Sequence, residues 1–108
     1  MWKQHISYKL YNQHNQLPQD KCDKIWELQD VAIIREPFGV AVDRDLNVYV
    51  ASRSNNSVVV ISPDGKRCRR VLGNSDGIDQ PYAIYFDKVK SNLVVCNYNG
   101  TVFLYKVE

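Results

Sequence analysis

The stretch Pro37–Asp43, with the sequence PFGVAVD, returns as PYAIYFD at Pro81–Asp87, 44 positions further along the chain. Both copies begin with proline and an aromatic residue and end with aspartate. The match continues after each copy, because Asn47–Ala51 (NVYVA) corresponds to Asn92–Cys96 (NLVVC) at an offset of 45 residues. A fixed period of about 20 to 50 residues is the signature of stacked supersecondary units. The chain is therefore predicted to consist of repeats.

The repeat has a second half and a partial third copy. Asn55–Ile61 (NNSVVVI) corresponds to Asn99–Tyr105 (NGTVFLY) at an offset of 44, and the same offset projects Cys68–Leu72 backward onto Lys24–Leu28. Each apolar run is short, rich in Val, Ile, Tyr and Phe, and separated from the next by turn residues. None has the roughly 3.6-residue period of an amphipathic helix. We therefore predict an all-β fold.

Two of the predicted strands are apolar at consecutive positions. These runs, Val48–Ala51 and Val58–Ile61, are typical of strands that are covered on both faces. Four-stranded antiparallel sheets that stack face to face meet this requirement, and a unit of about 40 to 45 residues has the size of a propeller blade. Turn chemistry fits such sheets: Ser62–Gly65 (SPDG) favours a type I turn, and Asn99-Gly100 favours a type I′ hairpin in which both residues have positive φ.

Composition restricts the classes of function. The 14 Lys and Arg residues against 12 Asp and Glu residues give a net charge of +2, too small for a dedicated nucleic-acid binder. Cys22, Cys68 and Cys96 never form a C-x-x-C pair, which argues against a thiolate zinc site or a disulfide framework and favours reduced thiols. No apolar run is long enough to cross a bilayer, and the N-terminal residues lack the apolar stretch of a signal peptide. A cytoplasmic location is expected.

Residues 37–72 and 81–107 resemble the NHL repeat, which reads approximately Pro-x-Gly-Ile-Ala-Val-Asp, Gly-Asn-(Ile/Leu)-Tyr-Val-Ala-Asp and Asn-His-x-Val-x-Val-Phe. The turn Ser62–Lys66 and the ending Asn97–Thr101 with Leu104-Tyr105 look like the last two blades of tripartite-motif (TRIM) proteins that carry an NHL domain. Leu46 and Ser91 stand where the family has glycine, and we expect Asn47 and Asn92 to supply the left-handed backbone conformation there. Ser52 and Asn97 replace the aspartate that follows the family's alanine.

The resemblance implies a partial β-propeller of about two and a half four-stranded NHL-type blades. Residues 1–36 are assigned to the end of a preceding blade, with two strands within residues 5–28, and to a polar loop. Residues 37–80 are assigned to one blade, and residues 81–108 to a final blade that lacks its outer strand. Since blades bury their faces against neighbours, we expect this chain to self-associate through uncovered blade faces.

In the family, the binding face is built from the loops before the first strand of each blade and between its second and third strands. The candidates at these positions are Phe38, Arg53, Asn55, Asn56, Tyr82, Tyr98 and Asn99. A core role is favoured for Phe38 and Tyr82, because large aromatic residues at strand starts usually pack inside. Arg53 and the asparagines are expected to be exposed on the loops.

A basic cluster lies further along the first full copy. Lys66, Arg67, Arg69 and Arg70 are expected around the outer strand of a blade. They could contact phosphate groups, as in single-stranded RNA binding. The favoured interpretation is that they prevent the outer strand from pairing with other chains.

The resemblance implies a non-catalytic protein-interaction module, which recruits a partner or substrate for ubiquitin ligation by the parent family. The ligand runs of a RING domain are missing from this sequence, so no enzymatic activity is predicted for it. Single-stranded RNA binding on the same face is the alternative. A metal-dependent propeller enzyme is a remote option, because Asp43 and Asp87 favour a role as turn caps and His5 and His14 lack metal-ligand spacing. No cofactor and no membrane partner is predicted.

Overall fold

The computed structural model describes residues 3–4, 9–11, 22–30 and 32–107. The chain divides into two units, residues 1–30 and residues 31–108. Within these described ranges, no helix is long and apolar enough to span a membrane. His5, His14 and the predicted polar loop around residues 12–19 lie outside the described residues.

The first unit contains short antiparallel strands: β1 (Lys3–Gln4), β2 (Lys9–Tyr11), β3 (Cys22–Lys24) and β4 (Leu28–Gln29). β2 pairs with β3 and β1 pairs with β4, so the two halves of this segment run antiparallel to each other. The strand expected at Lys24–Leu28 is interrupted, since residues 25–27 belong to no strand. Its equivalent in the second unit, Cys68–Leu72, is continuous.

The second unit contains two antiparallel sheets, which confirms the predicted all-β class for the described residues. The first sheet has the order β5-β6-β7-β8, and the second has the order β9-β10-β11. The strands are β5 (Pro37–Val42), β6 (Val48–Ser52), β7 (Ser57–Ile61), β8 (Cys68–Leu72), β9 (Pro81–Asp87), β10 (Asn92–Asn97) and β11 (Val102–Lys106). The double-sided burial predicted for the middle strands is also confirmed, because all of β6 and all of β7 except Val60 are buried.

The backbone repeats itself where the sequence does. Residues with positive φ occur in pairs 44 or 45 positions apart, at Glu36 and Gln80 (56° and 50°), Leu46 and Ser91 (67° and 58°), and Asn56 and Gly100 (52° and 98°). The expectation that Asn47 and Asn92 supply the left-handed conformation is therefore wrong. The Leu46 N–H donates to the Asp43 carbonyl, and the Asp43 N–H donates to the Asn47 carbonyl. This hairpin requires a left-handed residue before the asparagine, whichever side chain stands there.

The hairpin between β10 and β11 has the same pattern. The Gly100 N–H donates to the Asn97 carbonyl, and the Asn97 N–H donates to the Thr101 carbonyl. Gly100 has positive φ but Asn99 does not, so the predicted two-residue type I′ turn is wrong. The loop is instead a turn followed by one left-handed glycine, which is the common three-residue hairpin. The predicted turn at Ser62–Gly65 is present, with the Gly65 N–H donating to the Ser62 carbonyl at 2.8 Å.

One core cluster of the second unit lies between the two sheets. Tyr49 and Val58 come from the first sheet, and Phe86, Leu93 and Val95 come from the second. The connection between the sheets contributes Ile78, which is fully buried. The rings of Tyr49 and Phe86 stack with their centroids 5.8 Å apart. Burial of such large apolar side chains stabilises a fold by about 1.5 to 3 kcal/mol each.

A repeated hydrogen bond fixes the segment that leads into each sheet. The Arg35 N–H donates to Ser52 Oγ at 2.8 Å, and the equivalent Asp79 N–H donates to Asn97 Oδ1 at 3.0 Å. Ser52 and Asn97 are both buried. Two different side chains therefore hold the same backbone position in the two copies.

Candidate interaction surface

Four loop segments meet at one end of the two sheets. They are the starts of β5 and β9 and the loops β6–β7 and β10–β11. The Arg53 N–H donates to the Glu36 carbonyl at 3.1 Å, and the equivalent Tyr98 N–H donates to the Gln80 carbonyl at 2.9 Å. These two bonds tie each hairpin loop to the residue before the repeat's proline. Most of the predicted loop candidates are thereby brought to the same end.

The side chain of Arg53 lies between two aromatic rings from different sheets. Its guanidinium carbon lies 5.3 Å from the centroid of Phe38 and 5.4 Å from that of Tyr98. Tyr82 meets Tyr98 edge-to-face, with centroids 6.2 Å apart and an interplanar angle of 79°. We call Phe38, Arg53, Tyr82 and Tyr98 the arginine–aromatic cluster. Its contacts join the first sheet to the second at their loop end.

The polar groups of Arg53 are directed toward neighbouring loops. Nη1 lies 3.5 Å from Glu36 Oε1, and Nη2 donates to Gln80 Oε1 at 3.1 Å. The Ser54 hydroxyl also donates to Glu36 Oε1. Among the described residues, nothing accepts a hydrogen bond from the buried Nε–H. The positive charge of Arg53 is therefore paired within the protein, which corrects the expectation that Arg53 is freely exposed on its loop.

The three aromatic residues of the cluster remain accessible. Phe38 is 55% exposed, Tyr82 43% and Tyr98 67%. The core role favoured for Phe38 and Tyr82 is therefore wrong, and β-bulges provide the physical reason. Pro37 pairs with Ser52 and Gly39 with Ala51, so Phe38 is an extra residue in β5, and Tyr82 is likewise extra in β9. A bulge turns its side chain out of the regular alternation, and both rings accordingly point outward.

The loop asparagines have different roles from one another. Asn55 Nδ2 donates to the Ile33 carbonyl at 3.1 Å, and Asn56 Oδ1 accepts the Gln80 N–H at 2.9 Å. Both side chains are half-buried, so the expectation that they are exposed is wrong for these two positions. They connect structural segments instead. Asn99 is exposed as expected, and its Oδ1 accepts the Thr101 N–H within the hairpin loop.

The basic cluster lies elsewhere on the first sheet. Arg69 and Arg70 belong to the edge strand β8, and Lys66 and Arg67 belong to the turn that precedes it; all four are exposed. Because β7 starts at the loop of Arg53 and ends at this turn, the turn and Arg53 lie at opposite ends of the strand. The structure therefore does not combine Lys66 or Arg67 with the arginine–aromatic cluster.

Asp43 and Asp87 act as turn caps, as the favoured interpretation had it. The Asp43 carboxylate accepts hydrogen bonds from the Asp45 and Asn47 N–H groups, from Asn47 Nδ2 and from the Tyr49 hydroxyl. Burial raises the pKa of the Asp43 carboxyl, but these hydrogen bonds outweigh it and hold the pKa below its ordinary value. Asp87 Oδ1 accepts the Val89 N–H at 3.0 Å. In the ranges that the structure describes, no group of three or more potential metal ligands occurs.

Burial also affects the partner of Asp43. Together with the hydrogen bond to the Asp43 carboxylate, it raises the pKa of Tyr49 to about 12. The phenol is consequently neutral over the physiological range and keeps donating its proton to Asp43. This pair therefore has a structural role beneath the first sheet's hairpin, and it offers no ionisable group for acid–base chemistry near pH 7.

Sequence reasoning missed two residues of the surface, Glu36 and Gln80. Both precede the repeat's proline, both have positive φ, and both contact Arg53. The signal for them was their shared position in the repeat, since the residue before the proline must turn the chain into the first strand of each sheet. Their side-chain contacts depend on which loops meet, and a single sequence does not reveal that.

No protein-family model matches the chain, and no curated protein matches it. The function of this surface therefore has to be inferred from the residues that form it.

Proposed function

We propose that this chain is a non-catalytic protein-interaction module, and that the exposed rings of the arginine–aromatic cluster contact a polypeptide partner. The observation that supports the proposal is the pair of β-bulges, which place Phe38 and Tyr82 outside the core beside Tyr98. Aromatic residues and arginine are enriched at the centres of protein interfaces. A rigid base of two sheets holds the rings in place, so little conformational entropy would be lost on binding.

The same proposal includes the architecture. Two antiparallel sheets with the same backbone turns at a 44-residue spacing fit consecutive NHL-type propeller blades, as the resemblance to TRIM proteins implies. In that setting the module would recruit a substrate for ubiquitin ligation in the cytoplasm, and the ligase chemistry would belong to another domain. The carboxylates of Asp43 and Asp87 already serve turns, which disfavours the metal-dependent enzyme.

The test is affinity capture with the full chain as bait and variants of the exposed rings. Tyr98→Ala and Phe38→Ala are expected to reduce recovery of a specific partner at least about tenfold, as hot-spot truncations do. Val89→Ala and Leu46→Ala serve as controls, because these apolar side chains are 86% and 57% exposed but lie in turns at the opposite end of the sheets. Equal loss of the partner with the control variants, or no partner retained by the unaltered chain, would overturn the proposal.

Single-stranded RNA binding is the second candidate, because accessible rings can stack on bases. The geometry supports it less well, since Arg53 is paired with Glu36 and the exposed turn cations lie at the other end of β7. A filter-binding titration with a labelled oligonucleotide separates the two functions. RNA binding requires affinity that falls steeply with salt and that drops in both Arg53→Ala and Tyr98→Ala. The protein-interaction proposal expects neither effect.

A further inference from the structure

The last strands of the two sheets, β8 and β11, are both edge strands, but they differ strongly in sequence and pairing. The edge strand β8 carries Arg69 and Arg70, and its pairing with β7 is irregular between Val58 and Val59. Charges and bulges of this kind protect an edge strand against pairing with other chains. β11 has the sequence VFLYK, pairs with β10 in an unbroken register, and carries its one charge at Lys106. Within the described residues, the edge of β11 therefore has neither a bulge nor a central charge to protect it.

Hydrogen bonds at both ends of β11 show which backbone groups face its open edge. The Asn97 N–H donates to the Thr101 carbonyl, and the Val107 N–H donates to the Ser91 carbonyl. Hydrogen-bonded and non-hydrogen-bonded pairs alternate along an antiparallel ladder. Between these two bonds, the backbone N–H and carbonyl groups of Phe103 and Tyr105 must therefore form hydrogen bonds with β10. The N–H and carbonyl groups of Val102, Leu104 and Lys106 then point away from β10, and no strand in the described part of the chain pairs with them.

The side chains beside this edge are apolar and exposed. Leu104 is 66% exposed, Val102 60%, and Tyr85 on β9 64%. Val94 lies between Leu104 and Tyr85 in the register of the sheet, so these side chains share one face. An added strand would extend this face and cover part of it.

We infer that β11 pairs antiparallel with β11 of a second copy of this chain, with Leu104 opposite Leu104. This register uses the outward-facing backbone groups of Val102, Leu104 and Lys106 in both copies. It also places Lys106 opposite Val102 of the second copy, so the two lysines of the interface do not face each other. The strand is thus complementary to itself, and the product is a continuous six-stranded sheet with two-fold symmetry. The interface is small, so the dimer is expected to be weak, with a dissociation constant on the order of micromolar.

Charge substitutions at the centre of the pairing test the register. Sedimentation of the full chain over a concentration series should show a monomer–dimer equilibrium. Leu104→Lys and Leu104→Glu should each raise the dissociation constant at least about tenfold, because like charges then face each other. An equimolar mixture of the two variants should dimerise again. Leu46→Lys is the matched control, since it adds a charge at an exposed apolar site in the β5–β6 turn of the first sheet, away from β11, and should leave the equilibrium unchanged.

A second pair of measurements tests the hydrogen bonds. Leu104→Pro removes the outward N–H and leaves the bonds of Phe103 and Tyr105 to β10 intact; the loss of two hydrogen bonds per dimer should weaken it about 30-fold. In the unaltered chain, amide hydrogen exchange at Val102, Leu104 and Lys106 should slow as concentration rises. A monomer at every concentration, no recovery in the mixture, or protection on β8 instead would each overturn the inference. If the variants fail to fold, the exchange data on the unaltered chain decide.

Discussion

Removal of the Arg53 side chain tests whether the arginine–aromatic cluster holds the two sheets together. Arg53→Ala removes both ring contacts, the ion pair with Glu36 and the hydrogen bond to Gln80. Arg53→Lys keeps the positive charge, but it lacks the planar group that stacks between two rings. The pair of variants therefore separates stacking from charge.

The expected loss of stability in Arg53→Ala follows from the contacts that the Arg53 side chain makes. Two cation–π contacts at a partly exposed site contribute about 1 to 2 kcal/mol together. The ion pair with Glu36 and the hydrogen bond to Gln80 are also partly exposed and add about 1 kcal/mol. The buried Nε–H, which has no acceptor among the described residues, offsets about 1 kcal/mol of this. Arg53→Ala is therefore expected to lower the free energy of unfolding by about 1 to 2 kcal/mol, and Arg53→Lys by most of that amount.

Urea unfolding followed by far-ultraviolet circular dichroism measures the effect. Tryptophan fluorescence is unsuitable, because Trp2 and Trp26 both belong to the first thirty residues. Repeating the Arg53→Ala measurement in high salt should leave most of the loss, since salt screens the ion pair more than the stacking. The reasoning is refuted if Arg53→Lys is as stable as the unaltered chain, because the charge alone would then suffice.

Three further predictions concern the second unit. Gly77 has a φ of +92°, and a Cβ there would lie 2.9 Å from Phe103 Cζ, so Gly77→Ala should cost about 2 to 3 kcal/mol in thermal or urea unfolding. Gly100→Ala, at a φ of +98° where an added Cβ would have no atom of the described residues beyond the two chain neighbours within 4 Å, should cost only about 1 kcal/mol; equal losses would contradict the clash. Asn97→Ala leaves the Asp79 N–H and the Gly77 carbonyl without their partner and should cost about 1 to 3 kcal/mol, whereas Asn97→Ser, which keeps an acceptor, should cost less. The pKa of Asp43 is lowered in the folded state, so the ionised carboxylate stabilises the fold above its unfolded pKa of about 3.9, and this stabilisation is lost as the pH falls through the folded pKa. The free energy of unfolding of Asp43→Asn should therefore fall less between pH 6 and pH 2.5 than that of the unaltered chain. An equal fall would count against this role.

The sequence alone was sufficient to predict the strands of the second unit and which of them are buried. Consecutive apolar residues at Val48–Ala51 and Val58–Ile61 require cover on both faces, and the structure buries them accordingly. The 44-residue spacing also extends to the backbone, where Glu36 and Gln80 share a positive φ. Local pattern and repeat spacing are sufficient here, because each strand's burial follows from its own residues.

Features that depend on pairing between strands were not predictable. The sequence favours a core role for the binding candidates Phe38 and Tyr82, because a single strand does not reveal the bulge that turns its side chain outward. Leu46 adopts a left-handed conformation because the hairpin has to close, although its side chain disfavours it. For the same reason, the position of Arg53 between two rings follows from which loops meet, and no local spacing encodes it.

The side-chain contacts between the two sheets at their loop end are asymmetric, because the two copies contribute different residues to them, and this limits how such units can be rearranged. Arg53 and Asn56 of the first copy contact Gln80 of the second copy, and Arg53 also lies over the ring of Tyr98. At the positions equivalent to Arg53 and Asn56, the second copy has Tyr98 and Gly100, which cannot serve another neighbour in the same way. A permuted or artificially duplicated array of these units would thus keep its individual sheets and lose these loop-end contacts between them, unless an arginine and an asparagine were introduced at each new junction.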